Sequence, residues 1–283
     1  MIIWIASYPK SGNTWVRSMI GSLLYTEDGI FNFKNLENIK QFPSIRYFNN
    51  LTSDYQSLNE IKKNWIIAQD KINLDNKIKF LKTHNANCTI GSHSFTNRSN
   101  TLATIYIVRD PRNIVTSLSN HYNFDLDYSK NFITSPRTIG NKATKDGKLY
   151  ENSILTILGA WNDHLLSWTK NNKNLLIIRY EDLINNIEFE TIRLIKFLNQ
   201  YLDANFSQKK IMNCIESTSF NNLQNLEIEG NFEEGAIKKQ DKGKNFFYLG
   251  KENKWENILD KDTRYFLEEK FKRELIKFKY LEN

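Results

Sequence analysis

The stretch that decides the fold reads Ser7-Tyr8-Pro9-Lys10-Ser11-Gly12-Asn13-Thr14-Trp15. A short apolar run, Ile2–Ala6, leads directly into it, and apolar residues at helical spacing follow it. This pattern predicts a buried strand, a tight loop and a helix over 14–25. In such a junction, backbone N–H groups and the positive end of the helix point at one place, which suits an anion.

The side chains of this loop also suit an anion. Lys10 brings a positive charge, Gly12 allows close approach of the backbone, and Ser11, Asn13 and Thr14 are short donors. The loop is not a Walker A sequence, because its lysine precedes the glycine and no glycine opens it. We interpret it as a site for phosphate or a phosphate analogue. The alternative is an ordinary strand–turn–helix junction with incidental polar residues.

The rest of the chain alternates between apolar strands and amphipathic helices. Because parallel strands joined by helices need crossovers, this order predicts an α/β fold of three layers, with a central, mostly parallel sheet and helices on both faces. Ligands of such sheets bind at the carboxyl ends of the strands. Further strands are expected at 78–82, 101–108 and 175–179, helices at 54–69, 111–122, 151–170, 188–201, 207–214 and 261–278, and loops at 27–50, 85–100, 124–150 (a mobile loop or lid) and 221–246.

Composition limits the partners. The chain has 283 residues, 40% of them hydrophobic, and a formal net charge of +7. The charge suits an anionic ligand and would equally suit weak attraction to nucleic acid or membranes. No block of Lys and Arg is long enough for a nucleic-acid patch, so we expect neither a nucleic-acid nor a membrane partner. With no repeat and no linker, residues 1–283 are expected to form a single domain.

Two further features bear on compartment. Cys88 and Cys214 have no CxxC spacing, so we expect free thiols and neither a disulfide nor a zinc site. The apolar run Ile2–Ala6 is far shorter than the ~20 residues that span a bilayer. We therefore expect no targeting or anchor segment, and a cytoplasmic protein.

Three motifs resemble those of one enzyme family. The loop from Tyr8 to Trp15 resembles the 5′-phosphosulfate loop of the sulfotransferases, which use 3′-phosphoadenosine 5′-phosphosulfate (PAPS). Arg109-Asp110-Pro111-Arg112-Asn113-Ile114-Val115-Thr116-Ser117 is similar to their 3′-phosphate motif, and Lys82-Thr83-His84 to the lysine–histidine element of the soluble aryl and alcohol sulfotransferases. The resemblance implies a P-loop NTPase-like fold.

The resemblance also implies roles for individual residues. Arg109 and Ser117 would hold the 3′-phosphate, and a planar guanidinium suits bidentate phosphate recognition. His84 would be the general base, because imidazole titrates near neutral pH. Trp15 would stack on the adenine. Arg179-Tyr180-Glu181-Asp182-Leu183 and Ser217-Thr218-Ser219-Phe220 also resemble family elements, so Tyr180, Thr218 and Ser219 would line the adenine pocket. The implied catalytic residues are Lys10, Lys82 and His84, and the implied donor-binding residues are Lys10, Ser11, Gly12, Asn13, Thr14, Trp15, Arg109, Ser117, Tyr180, Thr218, Ser219 and Gly250.

Two elements depart from the family pattern. Asn85-Ala86 follows His84, where the family usually has a small residue and then Pro. The C-terminal Arg-Lys-Gly element reads Tyr248-Leu249-Gly250, so it keeps the glycine and loses both cations. The candidate replacement cations are Lys244, Lys251 and Lys254.

The expected reaction is in-line transfer of a sulfuryl group from PAPS to a hydroxyl or amine of a small acceptor. The products are the sulfated acceptor and 3′-phosphoadenosine 5′-phosphate (PAP). No cluster of carboxylates indicates a metal site, because Asp110, Glu181 and Asp182 fit helix-cap or sheet-edge positions. Aromatic residues in the loops favour a partly apolar acceptor, and the oligomeric state is left open. The alternatives are a kinase-like P-loop enzyme that uses ATP and a non-catalytic nucleotide binder.

Overall fold

A computed structural model describes residues 1–140, 153–230, 232 and 246–282. The loop predictions for 141–152, 231 and 233–245, and Lys244 with them, lie outside the described residues. The strands are β1 Ile2–Ser7, β2 Lys40–Gln41, β3 Lys79–Thr83, β4 Thr89–Ile90, β5 His93–Ser94, β6 Thr101–Val108, β7 Thr138–Ile139, β8 Thr156–Ile157 and β9 Leu175–Arg179.

A five-stranded parallel sheet, in the order β2-β3-β1-β6-β9, confirms the predicted α/β architecture. The strands β1 and β6 read as near-continuous apolar runs because helices surround the sheet and both faces of these strands are buried. In the β1–β3 pair, Ile2 lies opposite Lys79 and Ala6 opposite Thr83. The two strands therefore end together, which brings Ser7 beside His84.

Helices occupy most of the predicted positions. The helix after β1 starts at the expected loop, and the final helix ends within a residue of its predicted boundary. The helices are α1 Asn13–Tyr25, α2 Ile45–Phe48, α3 Leu58–Ile72, α4 Pro111–Tyr122, α5 Leu126–Thr134, α6 Trp161–Thr169, α7 Tyr180–Asn185, α8 Ile187–Leu198, α9 Gln208–Ser217, α10 Phe220–Ile228 and α11 Lys261–Lys277, with 3₁₀ turns at Phe33–Asn38, Gly250–Glu252 and Trp255–Asn257.

Several of the local predictions were wrong. The helix expected over 151–170 begins at Trp161, because Gly159 adopts a left-handed φ of 69° that a continuous helix does not allow. The loop expected at 124–150 contains α5, whose start is stabilised by the Asp125 carboxylate accepting the Tyr128 N–H at 2.6 Å. The loop expected at 221–246 contains α10, capped at Ser219. The loop at 85–100 also contains the hairpin β4–β5.

The chain forms two compact units. The first comprises Met1–Pro9, Ile39–Tyr106 and Phe132–Ile177, and the second the remaining segments. The core of the first unit is aromatic: the Trp4 ring contacts Phe42, Phe95 and Trp168 at centroid distances of 5.4 to 6.0 Å. The second unit buries Phe33 against Phe232 and Phe247, at 4.4 and 6.3 Å.

Two further expectations concern the chain as a whole. No helix within the described ranges is both long and apolar enough to cross a membrane. Cys88 and Cys214 are free thiols, as expected, with Cys88 half-buried and Cys214 buried.

Candidate functional site

The loop before α1 has the backbone of an anion site. Lys10 and Gly12 adopt left-handed φ values of 65° and 100°, and Gly12 is the N-cap of α1, with no side chain capping the helix. The first backbone hydrogen bond of the helix runs from the Val16 N–H to the Gly12 carbonyl at 3.2 Å. The amides of the first turn before Val16 therefore have no partner within the helix, and the helix dipole favours an anion there.

Gly12 is required for two independent reasons. Its left-handed φ strains any residue with a Cβ. In addition, a Cβ at this position would lie 2.6 Å from Cδ2 of the Tyr180 ring. Tyr180 is buried and is the first residue of α7, directly after β9. The loop backbone thus packs directly on a tyrosine that the sequence assigned to the adenine pocket.

Arg109 joins the same cluster. It follows β6, is 6% exposed, and donates from Nη1 to the Lys10 carbonyl at 2.9 Å. Its guanidinium also stacks on the Tyr180 ring, 4.0 Å from the centroid. The second unit therefore places the predicted 3′-phosphate arginine against the predicted phosphosulfate loop, joined by a hydrogen bond and by a shared aromatic ring.

Three buried polar atoms of this cluster make no hydrogen bond within the described part of the chain. They are Ser11 Oγ, Trp15 Nε1 and Arg109 Nε. Ser11 is 1% exposed. Because buried polar atoms are normally hydrogen-bonded, the cluster has unused capacity to bind a polar ligand.

An aromatic contact connects the loop to Gly250. The Trp15 ring lies edge-on to Tyr180 and to Phe220, at 5.6 and 5.8 Å. Phe220 in turn lies so close to Gly250 that a Cβ there would be 2.6 Å from its ring. Gly250 also has a positive φ of 52°, so this position requires glycine, as Gly12 does.

The remaining donor-binding candidates are placed less directly. Ser117 is half-buried on α4. The Thr218 hydroxyl donates to the Cys214 carbonyl at 2.7 Å, and Ser219 Oγ accepts the Asn222 N–H at 3.4 Å. These two hydroxyls end α9 and cap α10, whereas the resemblance assigned them to the adenine pocket.

The segment that lacks the two cations docks on α4 through neutral amides. Asn253 donates to the Asn113 carbonyl at 3.1 Å, and the Asn113 side chain accepts the Trp255 N–H at 3.0 Å. The candidate replacements Lys251 and Lys254 are exposed. Sequence reasoning missed Asn113 and Asn253, because asparagines in a chain so rich in them carry little signal.

The Lys10 ammonium lies over the ring of Phe246, 4.1 Å from its centroid. The Phe246 and Phe247 N–H groups both donate to the Glu227 carboxylate. Gln224 donates to the carbonyls of Phe247 and Tyr248, at 2.7 and 2.9 Å. Two side chains of α10 therefore hold the aromatic residue that faces Lys10, a contact that no sequence pattern indicated.

Buried carboxylates near Arg109 have structural partners. Asp110 caps α4 by accepting the Arg112 N–H at 2.9 Å. Glu181 accepts the Asp110 N–H at 3.1 Å and the Tyr280 hydroxyl at 2.8 Å. Burial raises the pKa of both carboxyls. Arg112 lowers the pKa of Asp110 and Arg109 lowers that of Glu181, but the effect of burial is larger in each case. In the described residues, no group of three or more His, Cys, Asp or Glu could hold a metal ion.

His84 lies in the first unit with a defined tautomer. Its Nδ1 is 2.8 Å from the Ser7 carbonyl oxygen and 3.4 Å from Ser7 Oγ. Because a carbonyl can only accept, Nδ1 carries a proton, and in the neutral ring the lone pair is then on Nε2. Lys82 lies two residues earlier, half-buried near the end of β3.

Side chains of α6 hold the turn that follows His84. His164 Nε2 donates to the His84 carbonyl at 3.1 Å, and Trp168 Nε1 donates to the Asn85 carbonyl at 2.9 Å. The Asn87 N–H donates to Ser167 Oγ at 3.0 Å. These bonds hold the Asn85-Ala86 turn, in the place where the family usually has proline.

His164 is a neutral imidazole in the core. It is 0% exposed, and its Nδ1 is 2.9 Å from the Tyr106 hydroxyl. Burial lowers the pKa of His164 from its ordinary 6.5 to about 3. Sequence reasoning did not identify His164 as a neighbour of His84. Its position in a predicted helix does not show whether the ring makes a hydrogen bond or only packs in the core.

Comparison with known proteins identifies the family. Residues 2–279 match the family model described as the sulfotransferase domain. The chain belongs to this sulfotransferase family.

Individual relatives are distant. Sulfotransferase 1E1 of Rattus norvegicus is 26% identical over 224 residues, which cover 78% of this chain and 65% of the rat protein, slightly less than two thirds of its length. A mouse sulfotransferase complexed with PAP has 18% identity and a TM-score of 0.59, over 97% of this chain and 84% of that one. Retinol dehydratase in complex with androsterone and inactive cofactor PAP has 17% identity and a TM-score of 0.64, over 97% and 80%. These structural likenesses confirm the fold.

In this sulfotransferase-family chain, the two constraints on Gly12 can be separated by a matched control. Gly91 has a φ of 63° with nothing within 4 Å of an added Cβ, so Gly91→Ala tests the backbone strain alone. We expect Gly91→Ala to reduce the free energy of unfolding by about 1 kcal/mol. Gly12→Ala should cost at least ~1 kcal/mol more, because its Cβ also meets Tyr180. Urea unfolding measures both, and equal losses would contradict the tight contact.

The buried His164 should make the family chain less stable in mild acid. Its pKa is about 3 when folded and 6.5 when unfolded, so the unfolded chain binds more protons below pH 6.5. The stability it contributes is fully present above pH 6.5 and is lost as the pH falls towards 3. Between pH 7 and pH 5, we expect the free energy of unfolding of the wild type to fall by about 2 kcal/mol more than that of His164→Gln, as measured by urea unfolding. The same loss in both proteins would contradict a buried neutral ring.

Proposed function

We propose that this chain is a PAPS-dependent sulfotransferase that transfers a sulfuryl group to a hydroxyl or amine of a small, partly apolar acceptor. The observation that carries the proposal is the cluster of buried polar atoms, Ser11 Oγ and Arg109 Nε, beside an uncapped helix start. These donors fit an anionic nucleotide. Family membership supports the same reading, as do the solved structures with a similar fold that contain PAP.

Donor binding would divide between two anion sites. The amides of the loop, with Ser11, Asn13 and Thr14, take the 5′-phosphosulfate end. Arg109 and Ser117 take the 3′-phosphate. Trp15, Tyr180, Thr218 and Ser219 surround the adenine, and Gly250 offers a backbone N–H. The Thr218 hydroxyl uses its donor on the Cys214 carbonyl and Ser219 Oγ accepts the Asn222 N–H, so toward the adenine Thr218 would accept and Ser219 would donate.

The chemistry would be an in-line displacement at sulfur. The acceptor oxygen or nitrogen forms the new bond to sulfur as the bond from sulfur to the bridging oxygen of the 5′-phosphate breaks. Nε2 of His84 takes the acceptor proton, for which its tautomer is suited. Lys10 stabilises the negative charge that develops on the bridging oxygen, and Lys82 the charge on the transferring group.

Three wider features belong to the same proposal. Residues 1–283 act as one sulfotransferase domain, consistent with the family match over 2–279. The acceptor is a small molecule, and nucleic acid is not a partner. A cytoplasmic location stays a prediction.

The nucleotide preference separates this proposal from a kinase-like enzyme. We expect PAP to bind and Mg-ATP to bind weakly or not at all, because Arg109 would hold the 3′-phosphate, a group that PAP has and ATP lacks. Isothermal titration calorimetry with the two nucleotides measures this. Binding of Mg-ATP without binding of PAP would contradict the proposal.

Two substitutions separate catalysis from simple nucleotide binding. We expect His84→Ala to lower the turnover of sulfur-labelled PAPS with a panel of phenols, alcohols and amines at least ~100-fold while the Kd for PAP stays unchanged. Lys10→Ala should also abolish transfer, because it removes the charge opposite the leaving oxygen. His93→Ala and Lys71→Ala are the matched controls and should transfer normally. Full transfer in His84→Ala, or equal loss of PAP binding, would contradict the base assignment.

A further inference from the structure

The candidate base His84 is held on two sides. Its ring donates from Nδ1 to the Ser7 carbonyl at 2.8 Å, and its own carbonyl accepts from His164 Nε2 at 3.1 Å. The ring contact selects the tautomer. The backbone contact holds the residue from which the ring extends, so both are needed to keep Nε2 in one place.

The hydrogen bonds in this group run in one direction. The His84 carbonyl can only accept, so His164 Nε2 must carry its proton. His164 Nδ1 is then an acceptor, and the Tyr106 hydroxyl at 2.9 Å must donate to it. The series therefore runs from Tyr106 through His164 to the His84 carbonyl, and reversing either bond would leave two donors or two acceptors facing each other. The bond from the His84 ring to the Ser7 carbonyl has its own fixed direction.

Burial makes this arrangement rigid. His164 is 0% exposed and Tyr106 is 1% exposed, and the Tyr8 ring packs edge-on against His164 at 5.6 Å. Both imidazole nitrogens have partners that an apolar residue of the same size would leave buried and unbonded. Trp168, one turn further along α6, holds the next carbonyl, that of Asn85.

We propose that His164 is a positioning residue for sulfuryl transfer. Its hydrogen bond to the His84 carbonyl holds the backbone of His84 and thereby the ring, and the Tyr106 hydroxyl sets the direction of that bond. The inference rests on the proposed function for its catalytic meaning. Its structural content, control of the His84 ring, can be measured without any transfer.

Two amide substitutions divide the His164 bonds between them. In His164→Gln, the side-chain NH₂ group reaches the place of Nε2 and can still donate to the His84 carbonyl. In His164→Asn, the carbonyl oxygen takes the place of Nδ1 and can still accept from Tyr106, but nothing reaches His84. Both replacements are neutral and polar, so each is the control for the other.

A structural role and a positioning role predict different kinetics. We expect His164→Asn to lower kcat about tenfold or more, with KM for PAPS and Kd for PAP unchanged. A small shift of the His84 ring would move Nε2 out of alignment with the acceptor proton without affecting donor binding. His164→Gln should stay within about threefold of the wild-type kcat. Equal kcat values in the two variants, after correction for the folded fraction, would overturn the proposal.

A double substitution tests whether His164 acts through His84. In a His84→Ala background, adding His164→Asn should lower the remaining turnover no further, because the group it positions is already gone. The same tenfold loss in that background would show that His164 acts independently of His84, and would overturn the proposal.

The decisive readout is the tautomer of His84, by proton–nitrogen NMR of the imidazole rings. The chain has four histidines, so single replacements assign every ring. We expect an Nδ1–H signature for His84 in the wild type and in His164→Gln, and a mixture of tautomers in His164→Asn. An unchanged signature in His164→Asn overturns the positioning role. If that variant does not fold, Tyr106→Phe is read in the same way, with a smaller change expected and no change overturning the proposal.

This measurement separates the two hypotheses. A wild-type protein that transfers no sulfuryl group but whose His84 tautomer depends on His164 would refute the proposed function and keep the positioning role. A protein that transfers normally, and whose His84 tautomer is the same with and without the His164 bond, would support the proposed function and refute the positioning role.

Discussion

The contact between the Gly12 backbone and the Tyr180 ring is the constraint on which the second unit depends. It requires a residue without a Cβ at the N-cap of α1, and it requires the chain after β9 to present a flat ring. Arg109 then stacks on that ring and bonds the Lys10 carbonyl. The ends of three strands thus contribute to one cluster, in which the loop conformation, the arginine and the aromatic ring depend on one another.

The first unit uses the opposite electrostatic strategy. Where the second unit brings Arg109 and the start of α1 together, the hydrogen bonds described around His84 join neutral groups: the carbonyl oxygens of Ser7 and His84, and the His164 ring. Burial keeps His164 uncharged, and the carbonyl oxygens of Ser7 and His84 determine which nitrogens carry protons. Such an arrangement fixes which nitrogen of each ring donates to the neighbouring carbonyl.

The departures from the family pattern are local. Tyr248 and Leu249 replace two cations, yet the following Gly250 keeps the left-handed backbone and the close approach to Phe220. Asn253 and Asn113 bond the segment to α4, where the Arg112 guanidinium also stacks on the Trp255 ring, 4.0 Å from its centroid. Asn85 replaces a small residue in the turn after His84, and α6 holds that turn by hydrogen bonds. In both places hydrogen bonds to neutral side chains or a close aromatic contact fix the backbone of this chain.

The sequence by itself determined the order of strands and helices and the positions of the motifs. Short continuous apolar runs that end in turn residues favour buried strands of a covered sheet, and the residue types of the loop before α1 favour an anion site. It could not show that Gly159 prevents the helix from starting before Trp161. Nor could it show that Asp125 and Ser219 cap the starts of α5 and α10. In these places a single glycine or cap residue outweighs a weak periodicity. Only the tertiary structure decided that His164 meets His84 across 80 residues of chain and that Phe246 covers Lys10. The reason is physical: periodicity records which face of an element is buried, whereas the partner on that face is set by packing between elements distant in sequence.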